Sequence, residues 1–201
     1  MTTTQETKSV TDSLEVSANA LIELLEGAST HADKGKSALR ALNAVQVESV
    51  KGYLVARATD RYRLIEGRIE LENGDLATSL IALDDIKRVL AIAKEGKVSD
   101  RVGLNRIGDL LTVSINGSSI TLTVLDVNYP PSFDDLLNKS ERENLGEVNF
   151  NPAYMADYAK IAGKGNAVRL EFTGQGKPIM VHLPDTKVLW RALLMPMRVG
   201  K

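Results

Sequence analysis

The sequence predicts an α+β fold in which one unit, a short strand, a helix and then three strands, occurs three times. Three observations predict it. Apolar residues alternate with period two over most of the chain, the mark of half-buried strands. Three amphipathic stretches each follow a strand-like run with no loop between them. Turn-forming residues then separate the strands that come after each helix. The repeat is weak, and its period is longer than that of most solenoids.

The first unit opens with a strand at 14–19, passes into a helix at 20–26 and stops at Gly27. Strand-like runs follow at 45–48, 53–59 and 64–71. The second opens at 79–83, with a helix at 84–94 closing near Gly96. Its strands are 101–105, 110–115 and 119–125, the last two joined by Asn116-Gly117, a strong hairpin signal. The third opens at 147–151, with a helix at 152–162 closing at Gly163 and strands at 167–173, 179–183 and 188–195. Gly174-Gln175-Gly176-Lys177 reads as a hairpin turn. Asn19, Asp84 and Asn151 are suitable N-caps, and Pro152 suits a first helical turn. The glycines suit helix ends. In the second helix Ile86, Val89, Leu90 and Ala93 form the inward face, and in the third Met155, Tyr158, Ala159 and Ala162 do so. The domains expected are a polar, disordered tail at 1–12, a complete two-unit domain at 13–137, a polar linker at 138–146 and a half domain at 147–201.

Composition narrows the function classes. The 201 residues are 43% hydrophobic and 25% charged, a globular balance with enough apolar residues for real cores. Cysteine is absent, which excludes disulfides and thiolate metal sites and fits a reducing cytoplasm. The first residues lack the apolar stretch of a signal peptide, and no run approaches a membrane span, so a cytoplasmic protein without membrane contact is expected. Net charge is −1, from 25 basic and 26 acidic side chains, which permits DNA contact without indicating it.

No catalytic constellation or cofactor site emerges, and an enzyme is not expected. His31 and His182 stand apart from any ligand pattern and read as surface or packed residues. Gly35-Lys36-Ser37 resembles the end of a phosphate loop, but Thr30 stands where that motif needs glycine. Asp84-Asp85 and Asp134-Asp135 lack the further ligands of a metal site. Asp60 has no nucleophile or base beside it.

Two segments carry more information. The run Leu194-Met195-Pro196-Met197-Arg198-Val199 is apolar near a chain end, where polar, frayed residues are usual. Methionine adapts to varied partners, and proline stops the run from continuing as helix or central strand. A last strand packed on a core is an equal reading of these residues alone. The second segment is Ala58-Thr59-Asp60-Arg61-Tyr62-Arg63-Leu64.

Together the two resemble the halves of the protein-binding cleft of the bacterial DNA polymerase III beta subunit, the sliding clamp. The second segment matches that family's ATDGHRL at five of seven positions, with Arg61 and Tyr62 in place of Gly-His. Asn128-Tyr129-Pro130-Pro131-Ser132-Phe133 is similar to its FPDY domain exit, and the terminal run to its MPMR. The resemblance implies the DNA-clamp fold, with one complete clamp domain and half of another. The first domain and the first half of the last are missing, so the chain resembles a shortened member whose reduced length fits a phage-encoded form.

The resemblance also implies a non-enzymatic replication processivity factor. Such a protein encircles duplex DNA without sequence preference, as a homo-oligomer, and binds polymerase and clamp-loader proteins through short linear motifs. Leu64, Pro130, Leu136, Met195, Met197 and Val199 would line the cleft beside Pro196, with Thr59, Arg61, Tyr62, Arg63 and Arg198 as polar rim. Arg198 is equally a plain surface charge, and Tyr62 equally a packed residue with a wet hydroxyl. Lys87, Arg88, Lys94, Lys160 and Lys164 would face DNA, against the alternative of an ordinary solvated helix face. A competing reading keeps the cleft without the ring, as a decoy that binds clamp clients and encircles nothing.

Overall fold

The computed structural model describes residues 12–34, 39–97, 99–127, 148–174 and 176–197. The elements run β1 (Asp12–Ser17), α1 (Ala18–Ser29), a 3-10 turn (Arg40–Asn43), β2 (Ala44–Val50), β3 (Tyr53–Thr59) and β4 (Arg63–Glu70). Then come β5 (Ser79–Ala82), α2 (Leu83–Ala93), β6 (Arg101–Ile107), β7 (Leu110–Ile115) and β8 (Ser118–Thr123). The third unit supplies α3 (Pro152–Ala162), β9 (Arg169–Glu171), β10 (Ile179–His182) and β11 (Leu189–Leu194). Among the described residues no helix is long and apolar enough to cross a membrane.

The first two units exchange their leading strands. β1 pairs antiparallel with β6 of the second unit, from Ser17 opposite Arg101 to Asp12 opposite Arg106. β5 returns the exchange on β2, with Ala82 opposite Ala44 and Ile81 opposite Val45. The result is a four-stranded sheet in the order β1-β6-β7-β8 and a seven-stranded sheet in the order β5-β2-β3-β4-β11-β10-β9. The seven-stranded sheet is continuous because β11 pairs with β4, Leu194 opposite Arg63 through Leu189 opposite Arg68.

Alternation decides the core. Ala56, Ala58, Ile65, Ile69, Val181, Ala192 and Leu194 point to the helices and join one cluster with Leu21, Leu24 and Leu25 of α1 and Ile86 and Val89 of α2. Trp190 of β11 packs there against two glycines: a Cβ at Gly27 of α1 or Gly67 of β4 would fall inside the contact distance of its indole ring. On the other sheet face Glu66, only 1% exposed, takes ion pairs from Arg57 (2.6 Å), Arg68 (2.6 Å) and Arg191 (2.6 Å), and Arg57 also pairs with Glu48. Burial alone would raise the Glu66 pKa, but these arginines, Arg57 first, bring it below the usual carboxylate value.

Several expectations need correction. Gly27 does not end α1; it lies inside the helix, where it admits Trp190, and the helix runs on to Ser29. Asn19 and Asp84 are not caps, because the helices begin earlier, after Ser17 and Ala82. Asp84 instead pairs with Lys87 at 2.7 Å. Residues 148–151 form no strand, although Asn151 does cap α3, accepting from the Ala153 N–H at 3.0 Å. Ala159 is exposed, so the buried side chains of α3 are Tyr158 and Ala162. Gly163 ends α3 at φ 78°, and Asn116-Gly117 makes its turn with φ 49° and 85°.

Candidate functional site

The turn between β3 and β4 is built from its own side chains. The Asp60 carboxylate accepts from the backbone N–H of Tyr62 and of Arg63, each at 3.1 Å. The Thr59 hydroxyl donates to the Arg63 carbonyl at 2.7 Å and accepts from the Arg61 N–H at 3.1 Å. Closing so tight a turn holds Arg61 at φ 77°, the left-handed region that favours glycine.

The chain beyond β11 is zipped to this turn. The Met195 N–H donates to the Tyr62 carbonyl at 2.9 Å, one step past the β4–β11 ladder. The Met197 N–H donates to the Asn149 carbonyl at 2.7 Å. On the sheet face away from the helices, Leu64 and Leu193 lie opposite each other and Met180 packs against them as a small cluster apart from the main core. Tyr62 (62% exposed), Met195 (38%) and Met197 (53%) leave apolar surface open beside that cluster, and Pro196 is half-buried. The structure thus brings the two predicted segments together as one apolar strip. Pro130, Leu136, Arg198 and Val199 lie outside the described residues.

Of the expected polar rim, Arg61 and Tyr62 are exposed, whereas Thr59 and Arg63 are buried beneath. Arg63 points to the helix side and joins two units. Its Nε donates to Asp60 at 2.9 Å, Nη1 to Asp157 of α3 at 2.6 Å, and Nη2 to the Thr30 carbonyl beyond α1 at 2.8 Å. The guanidinium also stacks over the Tyr154 ring of α3, 4.5 Å from its centroid. Asp157 accepts Lys160 as well, at 2.7 Å. Burial would raise the Asp157 pKa, but the Lys160 and Arg63 hydrogen bonds hold it below the carboxylate norm.

Behind Arg63 lies His31, fully buried, its ring 4.9 Å from that of Tyr158 and its Nδ1 2.7 Å from the Thr30 hydroxyl. Burial, with the nearby Arg63 charge adding to it, lowers its pKa to about 3, so the imidazole is neutral. The Tyr158 hydroxyl donates to the Leu193 carbonyl at 3.2 Å, tying α3 to β11, and burial pushes its pKa up. Sequence reasoning missed Thr30, Tyr154, Asp157, Met180 and Leu193 as neighbours of the site. No spacing marks them: Thr30 reaches it because α1 packs on β4, and the other four through the pairing of β11 with β4.

The five cations expected to face DNA are all exposed on or just after α2 and α3. Four of them are paired: Lys87 with Asp84 and Arg88 with Asp85 at 2.7 Å each, Lys94 with Glu26 of α1 at 2.6 Å, and Lys160 with Asp157. Between α1 and α3 a groove of about 290 Å³ is lined by Glu23, Glu26 and Lys160 over Trp190. Among the described residues no three His, Asp or Glu side chains gather as a metal site.

No protein-family model and no curated protein matches the chain. Solved structures do. The DNA polymerase III beta subunit from Thermotoga maritima superposes with a TM-score of 0.80 at 19% identity, over 100% of this chain and 68% of that one. The sliding clamp from Pseudomonas aeruginosa bound to griselimycin gives 0.78 at 15% identity, over 99% and 68%. The sliding clamp from Caulobacter crescentus gives 0.77 at 17%, over 96% and 68%. With its two antiparallel sheets backed by helices and its exchanged leading strands, this chain has the fold of the bacterial DNA polymerase III beta sliding clamps and spans 68% of the length of each of these three.

Proposed function

We propose that the protein is a clamp-type replication processivity factor, an oligomer that encircles duplex DNA and takes up short linear segments of polymerase and loader-type clients. The observation that carries the reading is the apolar strip of Tyr62, Leu64, Leu193, Met195 and Met197, on a clamp fold and at the place where the two resembling segments meet. A client peptide with Gln, Leu and Phe anchors would add its apolar side chains to this strip and its backbone to the rim. A few such anchors supply most of the affinity of a small interface. No metal or cofactor takes part, and the DNA contacts would be loose phosphate contacts by Lys87, Arg88, Lys94, Lys160 and Lys164.

The test is fluorescence anisotropy with a labelled peptide of that type, beside retention of the protein on circular and on linearised DNA. Saturable binding weakened about tenfold or more by Met197→Ala, with retention on circles only, is expected. Absence of peptide binding overturns the cleft; equal loss from both DNA forms overturns the ring. The second reading, a client-binding decoy, draws support from the four helix cations already paired with carboxylates and from the two glutamates of the α1–α3 groove. It expects peptide binding with no retention on either DNA.

A further inference from the structure

The third unit occupies the place of a second-type unit whose mate is absent from the described residues. In the second unit the Leu125 N–H donates to the Leu80 carbonyl of β5 at 2.8 Å; in the third the Met197 N–H donates to the Asn149 carbonyl at 2.7 Å. Residues 148–151 therefore lie where β5 lies, without a neighbour like β2. Strand β9 lies where β6 lies, at the end of its sheet, without a neighbour like β1. The side chains show the difference. In β6 Val102 and Leu104 follow Arg101 and are 0% and 2% exposed. In the third unit Leu170 and Phe172 follow Arg169 in the same alternation, and Leu170 is only half-buried while Phe172 is 38% exposed. Residues 128–147 are too few to supply a unit like that of residues 12–70.

We infer that a second copy of this chain fills the gap, its third unit exchanging leading strands with the first copy's as units one and two do. Both existing exchanges share one register. The residue just before the helix sits opposite the first residue of the strand after the mate's helix: Ser17 opposite Arg101, and Ala82 opposite Ala44. Applied to two third units, the rule puts Asn151 opposite Arg169 of the second copy. Phe150 then meets Leu170 and Val148 meets Phe172, both inward apolar pairs, and Asn149 meets Glu171 on the outer face. Val148 and Phe150 are half-buried in one chain, so the exchange covers apolar surface on both partners. The contact is isologous and joins two chains, leaving the β8 edge of each free for the further contacts a ring needs. A second copy's first unit cannot serve instead, because its β1, β2 and β4 are already paired with β6, β5 and β11.

The inference rests on the internal repeat, and stands or falls apart from DNA tethering. The experiment is light scattering after size-exclusion chromatography together with cysteine cross-linking, made clean by the absence of native cysteine. The wild type is expected at an even multiple of the chain mass. Phe172→Asp is expected to halve that mass while keeping the far-ultraviolet dichroism and cooperative melting of the wild type, because this side chain is exposed in the single chain. Asn149→Cys and Glu171→Cys chains, mixed and oxidised, are expected to form a disulfide dimer that neither forms alone. A monomeric wild type, or a dimer untouched by Phe172→Asp and not cross-linked in the mixture, overturns the inference. Client-peptide binding and retention on circular DNA are scored on the same samples, so failure of the function leaves the dimer result legible.

Discussion

Arg61 holds φ 77° between Asp60 and Tyr62, in a turn closed by hydrogen bonds to the Thr59 and Asp60 side chains. A left-handed non-glycine residue costs about 1–2 kcal/mol, and glycine returns part of this through its freer unfolded chain. Arg61→Gly is therefore expected to leave stability unchanged or raise it by up to about 1 kcal/mol, and Arg61→Val to lower it by about 1 kcal/mol or more, read by urea denaturation. His31 makes a second prediction at this scale. Its pKa falls from 6.5 when unfolded to about 3 when folded, so the unfolded chain binds the proton first as pH drops. The stability is complete above pH 6.5 and is lost as pH falls below it. Between pH 6.5 and 4.5, the ordinary glutamate value below which Glu66 joins in, the slope is expected to rise toward about 1.4 kcal/mol per pH unit. His31→Phe is expected to flatten that slope; an unchanged slope would show that another group titrates.

At the scale of elements, Trp190 fixes how β11 meets α1 and β4. Gly27→Ala adds a good helix former, yet is expected to destabilise by about 1–3 kcal/mol because the methyl overlaps the indole; Gly67→Ala is expected to do the same. Denaturation followed by Trp190 fluorescence measures both. Arg63 fixes α3 in the same sense. Arg63→Ala strips a buried cation from Asp60 and Asp157 and is expected to cost about 3 kcal/mol. Amide exchange should quicken in α3 before α1, whereas equal loss in both would deny Arg63 its joining role. Legibility also divides along these lines. Strands β3, β7 and β10 could be placed from alternation, and α2 from its apolar face, because each is set by local periodicity. Gly27 could not be read, since its reason is an indole from β11, far along the chain. Nor could the burial of Arg63, whose partners Thr30, Tyr154 and Asp157 come from two other elements. The cleft segments were legible only as a resemblance; their meeting depends on one antiparallel ladder that no short motif encodes.

At the scale of the whole molecule, the cations of α2 and α3 would contact phosphate only by competing with their own carboxylates. If the protein holds duplex DNA, the logarithmic salt slope is expected to be shallow, about −2 to −4, and steeper in Asp84→Asn and Asp85→Asn variants. Titration of a short duplex at several salt concentrations checks this. The pairing of β4 with β11 has a further consequence, for the order in which the protein matures. While the chain is being synthesised, β4 is finished long before residues 189–194 exist, and its outer edge stands open to any strand nearby. Folding of this sheet thus waits on its most distant pairing, a high-contact-order step that sets its pace and leaves an interval in which nascent chains are prone to pair wrongly with one another.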